Sequence, residues 1–180
     1  MSQPSKEFSV VVKKDCPTCE MIEPVLVELL AKYPDNVSVY VQDDPTFPKT
    51  IESKIDDTSL EFSYKNKIEI VPTLICSTQS KETGRTIGWD KLEWQRLTDL
   101  PSLGKDLGDF KPGCGSKTQE PGMEEQLTAR FDKELLLSRS IQLADLEDEI
   151  ESCYERGWSD GLPVVPPTAV RVIRMLRETT

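Results

Sequence analysis

An α/β fold, with elements in the order β-α-β-α-β-β-α followed by a largely helical C-terminal extension, is predicted by three features of this 180-residue sequence. The first is an apolar, β-branched run at 8–12 that leads into a helical pattern and then into an alternating stretch at 37–41. The second is an apolar run at 68–76 followed by a short glycine-bounded stretch at 84–89, which read as the two arms of a hairpin. The third is a change of composition after residue 100, where proline and glycine crowd the chain before helical periodicity returns.

Each element has a local cause. Phe8-Ser9-Val10-Val11-Val12 reads as a buried strand. After it comes Cys16-Pro17-Thr18-Cys19, and then apolar positions at Ile22, Val25, Leu26, Leu29 and Leu30 repeat with helical spacing. Pro17 suits the first helical position, where its missing N–H would have had no partner, and this makes Cys16 the N-cap. Tyr33-Pro34-Asp35-Asn36 supplies a turn, and Val37-Ser38-Val39-Tyr40-Val41 alternates as a strand. A β-α-β order implies a parallel pair with a right-handed crossover.

Between 43 and 67 the pattern is weaker: a turn at Asp44-Pro45-Thr46-Phe47-Pro48, a short helix over 50–55, and an extra strand or a helical turn over 60–64. Pro72 interrupts the next apolar run and should begin a strand, since inside one it would remove a ladder hydrogen bond. The glycine-bounded stretch 84–89 is expected to pair with 73–77. Asp90 then caps a helix, with Glu93 completing a capping-box-like pair and Leu92 and Leu97 expected on the buried face.

The cysteine pair carries the chemistry. At a helix N-terminus, unpaired N–H groups and the positive end of the dipole favour the Cys16 thiolate, and cysteines so placed fall from a pKa of roughly 8.5 to somewhere in about 3.5–7.5. Lys13 and Lys14 push the same way; Asp15 and Glu20 oppose them. Cys19 lies one helical turn away, in reach of a mixed disulfide formed at Cys16. A metal-binding pair is the competing reading. Zinc would need two further ligands, and Cys76 or Cys114 with an acid would be an unusual set, so neither a metal nor a cofactor is expected. Cys76 and Cys153 read as buried thiols, and Trp89, Trp94 and Trp158 as packing anchors.

Composition narrows the function classes. A net charge of −10 argues against a nucleic-acid or anionic-membrane partner, which would need clustered Lys and Arg. No apolar run approaches the roughly 20 residues of a membrane span, and the N-terminus lacks the apolar core of a signal peptide. A cytoplasmic location is expected, where five cysteines are redox, metal-binding or buried thiols rather than a disulfide framework. The absence of histidine removes Ser-His and Cys-His catalysis.

These features together resemble the thioredoxin fold. The matching residues are Cys16-Pro17-Thr18-Cys19 after a first strand, Pro24 eight positions past the first cysteine, Val71-Pro72-Thr73 opening a core strand, and a glycine-bounded last strand before a final helix. The resemblance covers residues 7–99. It implies a mixed central sheet with helices on both faces, a nucleophile at Cys16, a resolving thiol at Cys19, a cis bond before Pro72, and backbone groups of Val71 offered to an extended substrate, with Pro17, Thr18 and Thr73 in support.

There are departures. Asp15 precedes the pair and Pro-Thr separates it, which is closer to glutaredoxins than to thioredoxins. Val10 stands where thioredoxins carry a buried acid. Gly88-Trp89-Asp90 only partly matches the glutaredoxin turn for glutathione, so glutathione is not assigned.

Beyond residue 100, 100–122 reads as a Pro/Gly-rich linker able to wrap over the first domain. Cys114, in Pro112-Gly113-Cys114-Gly115-Ser116, is expected in a mobile, exposed setting, either as an ordinary loop thiol or as a third redox thiol able to exchange with Cys16. Residues 123–180 read as a helical extension, with helices over 124–137 and 145–156. In the second of these Leu146, Ile150, Cys153 and Tyr154 share a face and Gly157 is a stop, and a final helix capped by Thr168 carries Val172, Met175 and Leu176. The acidic run at 147–151 is a solvated face. The string from Arg156 to Thr168, with Gly157-Trp158-Ser159-Asp160-Gly161-Leu162-Pro163, resembles a signature of bacterial proteins that include the UGSC-motif family. The tail is then a truncated lead-in to a further domain, or an arm that docks on its own or another copy.

The function expected is thiol-disulfide oxidoreduction on disulfide-containing proteins, with a thiol reductant whose identity the residues do not specify. The alternative is a non-catalytic thioredoxin-like adaptor whose tail binds a partner.

Overall fold

Val10, Val11 and Val12 are consecutive and all fully buried, so the strand that carries them is covered on both faces. The computed structural model of the chain describes residues 5–132, 134 and 136–179. In it β1 (Lys6–Val12) pairs in parallel with β2 (Val37–Val41), Val10 opposite Val39, and antiparallel with β5 (Thr73–Thr78), Val10 opposite Leu74. Outside these lie β3 (Ile55–Asp56), parallel to β2, and β6 (Lys81–Ile87), antiparallel to β5. The result is a mixed five-stranded sheet of order β3-β2-β1-β5-β6. Gln79 and Ser80 both take positive φ (52° and 60°), as a two-residue hairpin turn with the native strand twist requires.

The crossover from β1 to β2 is helical and broken once. α1 (Pro17–Met21) and α2 (Glu23–Lys32) meet at Ile22, where Pro24 in the first turn of α2 has no N–H to continue the ladder. Ile22, Val25, Leu26 and Leu29 are fully buried, at the spacing expected of one helical stripe. α4 (Lys91–Thr98) is capped by the Asp90 carboxylate, which accepts from the Glu93 N–H at 3.2 Å.

Two local expectations are corrected and one open reading is resolved. Residues 50–55 are not a helix: the Lys54 ammonium donates to the carbonyls of Thr46, Pro48 and Ile51 (3.2, 2.8 and 3.0 Å) and ties them into a loop that ends in β3. Of the two readings of 60–64 the structure takes the helical one, α3 (Glu61–Lys65), because the buried Asp57 carboxylate accepts the N–H groups of Phe62 and Ser63 and serves as its cap. Leu92 is 75% exposed, because α4 buries Trp94 and Leu97 at i,i+3 and Leu92 falls off that stripe.

Residues 100–122 are not a free linker. They belong to the first of two compact units, Met1–Met123 and Glu124–Thr180. Leu103 is buried, β8 (Phe110–Lys111) pairs with β7 (Trp89–Asp90), and β9 (Cys114–Gly115) pairs with β4 (Ile70–Val71). A 3₁₀ turn, Lys117–Gln119, follows.

The second unit carries α6 (Glu149–Glu155) and α7 (Ala169–Arg177), preceded by α5 (Met123–Phe131). α5 stops at Phe131, short of the expected end at 137; residues 133 and 135 of that stretch lie outside the described residues. α6 is capped by Asp148, whose carboxylate accepts from Ile150 and Glu151. Leu146 lies ahead of this helix and is fully exposed, Ile150 and Tyr154 are exposed, and only Cys153 of the expected face is buried. In α7, Ile173 is buried while Met175 and Leu176 are exposed. Among the described residues no helix is long and apolar enough to cross a membrane.

The same substitution at two leucines separates core from surface. Leu26→Ala removes a fully buried side chain and is expected to cost about 2–5 kcal/mol, whereas Leu92→Ala should stay within about 0.5 kcal/mol of the parent. Urea denaturation of the reduced protein measures both.

Candidate functional site

Three sulfurs meet where β1 hands over to α1. Cys16 is the N-cap, in extended conformation (φ −143°, ψ 107°), and its sulfur accepts from the Cys19 N–H at 3.4 Å. The protonated Cys16 thiol also reaches the Val71 carbonyl at 3.5 Å. Val71 precedes Pro72 through a cis peptide bond, and in β4 it stands opposite Cys114 of β9. All five cysteines are free thiols. Among the described residues no group of three or more Cys, Asp or Glu side chains is placed to hold a metal ion.

The three thiols differ sharply in acidity. The Cys19 thiol donates to the Cys16 sulfur and is the largest influence on it; burial opposes ionisation, and the Cys114 thiol and the N–H groups of Cys19 and Thr18 add further donors. Together they lower Cys16 from 9.0 to about 5. Burial raises Cys19, and so does its role as donor to Cys16. Cys114 is raised for the same two reasons. The cluster therefore holds one thiolate and two thiols near neutral pH.

The lysines expected to tune Cys16 are engaged elsewhere. Lys14 pairs with Asp44 at 2.6 Å, and Lys13 donates to the Gly115 carbonyl at 2.7 Å. Hydrogen bonds to the sulfur, rather than nearby cations, are the largest influences that lower the Cys16 pKa.

Cys16 is 1% exposed, and the segment 110–116 brings the Cys114 thiol against its sulfur. Cys114 is half-buried in a paired strand, not mobile and exposed as its glycine-rich context suggests. The segment grips the Cys-Pro-Thr-Cys turn directly. The buried Thr18 hydroxyl donates to the Pro112 carbonyl at 2.6 Å, and Lys111 donates to the carbonyl of exposed Pro17 at 3.0 Å. Two glycines permit the approach. A Cβ on Gly88 (φ +67°) would lie 2.8 Å from the Gly113 nitrogen and 2.9 Å from the Lys111 oxygen, and one on Gly113 would overlap Ile70 and the Val71 carbonyl. Thr73 is buried and donates to the Ile70 carbonyl at 2.6 Å, which braces the loop around Pro72. Cys76 is buried on β5 beside the Thr83 hydroxyl, apart from this cluster.

Sequence reasoning places Cys16, Cys19, Val71 and Pro72 together, and the structure does the same. It misses Gly88, Gly113, Lys111 and the buried Gln42. The Gln42 amide donates to the hydroxyls of Ser63 and Ser116 (both 2.7 Å) and accepts from the Lys117 N–H at 3.0 Å, pinning the downstream end of the segment. The one available signal was a cysteine set between glycines, which marks close backbone approach as readily as flexibility.

No protein-family model matches the chain, and no curated protein matches it in sequence. Solved structures that match include the germline-specific thioredoxin Deadhead of Drosophila melanogaster, at 17% identity and a TM-score of 0.41 over 54% of this chain and 81% of that one. Mitochondrial thioredoxin 3 of Saccharomyces cerevisiae, in its oxidized form, matches at 21% identity and a TM-score of 0.39 over 54% and 81%. Thioredoxin O2 of Arabidopsis thaliana, also oxidized, matches at 21% and 0.39 over 52% and 72%. The first unit has a thioredoxin fold, by its own strand order, its helical β1–β2 crossover and its antiparallel β5–β6 hairpin.

Titration tests the acidity order. The thiolate absorbance lost on Cys16→Ser is expected to appear with a midpoint near pH 5. Because the folded pKa lies below the unfolded one, ionisation of Cys16 stabilises the reduced fold fully above about pH 9, less as pH falls, and not at all below about 5. A midpoint near 9 would contradict the hydrogen-bond account.

Proposed function

We propose that this chain is a thiol-disulfide oxidoreductase acting on disulfide-containing proteins through Cys16 and Cys19. The Cys16 thiolate attacks one sulfur of the substrate disulfide and forms a mixed disulfide, and the other substrate sulfur leaves as a thiolate that takes a proton from water. Cys19 then loses its proton and attacks Cys16, freeing the second substrate thiol and leaving a Cys16–Cys19 disulfide. Two protein thiols are oxidised and one substrate disulfide is reduced. An external thiol of a cytoplasmic pool restores the pair, and the two sulfurs need no cofactor.

One observation carries the reading: the Cys16 sulfur caps α1 and accepts the Cys19 N–H at 3.4 Å, a setting that lowers Cys16 to about 5 while burial raises its neighbour Cys19. A nucleophile ionised at working pH sits beside a thiol that stays protonated until it is needed. In this reading Val71, Pro72 and Thr73 shape the wall against which the substrate strand lies, and Pro17 and Thr18 fix the turn.

A second reading, a non-catalytic adaptor that associates with a partner or with its own copies through the tail, is favoured by the apolar side chains the second unit exposes: Leu146, Leu162, Val165 and Met175. Insulin reduction separates the two. Wild type is expected to reduce insulin, Cys16→Ser to fall to background, and Cys19→Ser carrying Cys114→Ser to accumulate a mixed disulfide. An adaptor would leave insulin intact in all three.

A further inference from the structure

A polypeptide presenting a disulfide to Cys16 would lie beside Val71, because the Cys16 sulfur points at the Val71 carbonyl and Val71 belongs to β4, whose edge pairs with an extended segment. Adding a strand to such an edge is a recurrent way of holding an extended peptide, main-chain bonds giving the grip and side chains the fit. In this structure the edge is already taken. β9 lies antiparallel along it, Gly115 opposite Ile70 and Cys114 opposite Val71, and Ser116 donates to the Glu69 carbonyl at 2.8 Å. The occupant therefore carries a cysteine at the register position beside the nucleophile. Its fit is specific, since Thr18, Lys13 and the Pro17 carbonyl, all in or next to the Cys-Pro-Thr-Cys turn, bond to it, and Gly88 and Gly113 supply the clearance.

We infer that residues 110–116 are a built-in occupant of the substrate position and that Cys114 is a third redox thiol, forming with Cys16 an intramolecular disulfide that Cys19 resolves. The inference rests on the oxidoreductase reading, which supplies the Cys16–Cys19 disulfide from which the step begins. Cys114 gives up its proton and attacks the Cys16 sulfur, the Cys16–Cys19 bond breaks, and Cys19 leaves and takes up the proton. One disulfide is exchanged for another, with no net oxidation. The reverse step, with Cys19 attacking Cys16 and expelling Cys114, restores the pair. An external polypeptide disulfide competes with the segment for the β4 edge, so opening of the segment sets which substrates gain access.

The test uses the full chain carrying Cys19→Ser, equilibrated in mixed oxidised and reduced glutathione, acid-quenched, digested without reduction and mapped by mass spectrometry. A peptide pair linked through Cys16 and Cys114 is expected as the main oxidised product, with Cys16-bound glutathione accumulating only when Cys114→Ser is added. Stable glutathione on Cys16 beside a free Cys114 would overturn the inference and leave the oxidoreductase reading standing; a Cys16 that stays a free thiol in both Cys19→Ser and the Cys19→Ser, Cys114→Ser double variant would end both.

Independently, Gly113→Ala should dislodge the segment and speed alkylation of Cys16 roughly tenfold, while far-ultraviolet dichroism verifies the fold. An unchanged rate in a folded variant would show that the segment does not guard the sulfur, and would overturn the inference.

Discussion

A buried thiolate is tolerated only where donors converge on it, and that constraint organises the centre of this molecule. Removing the Cys16 sulfur from water disfavours its charge, so the low pKa must come from hydrogen bonds strong enough to outweigh burial. Two of the donors are thiols, and the price is that both stay protonated. The gap in acidity between Cys16 and its neighbours is thus a consequence of sharing one charge among three sulfurs, without the clustered cations that the sequence places nearby. The arrangement makes chemistry and cover inseparable, because Cys114 both stabilises the charge and lies over it.

The fold follows from residues that act locally. β1, α2, β2 and the β5–β6 hairpin were legible because their signals lie within a few residues: β-branched runs, a 3.6-residue apolar repeat, and turn chemistry between them. Leu92 misled because two leucines five apart suggest a face until Trp94 is seen to define it. The Cys16–Cys19 pair was legible for the same local reason, since an N-cap and a residue one turn on are fixed by the helix itself. The bonds of 110–119 are the opposite case. Thr18 to Pro112 spans 94 residues, Lys13 to Gly115 spans 102, and Gln42 to Ser116 spans 74. No periodicity connects such partners. Glycine and proline composition reads as a linker whether the chain is loose or is tightly bound by distant groups.

How firmly the segment is held differs along its length. Upstream, the Trp89 indole donates to the Gly108 carbonyl at 2.6 Å and the Lys91 N–H to the Asp109 carbonyl at 2.9 Å, close to the buried aromatic pair Trp89 and Trp94. Downstream, Ser116 and Thr118 are buried in a network that runs from the Ile68 carbonyl through Gln42 and Ser63 to Asp57, and breaking it would strand several polar groups away from water.

Between these anchors the contacts are of another kind. Lys111 to Pro17 and Lys13 to Gly115 are solvent-exposed bonds, and each contributes on the order of 1 kcal/mol or less, because water replaces it when it breaks. The Thr18 bond and the two-residue ladders at β4 and β7 are the sheltered contacts here. A stretch fixed at both ends and weakly held in the middle opens locally, at a free energy far below that of global unfolding. The anchors return it to the same register each time it closes. Cys114 therefore meets Cys16 at an effective concentration that no free thiol in solution matches, and the balance between closed and open segment falls to a few exposed hydrogen bonds, not to the core.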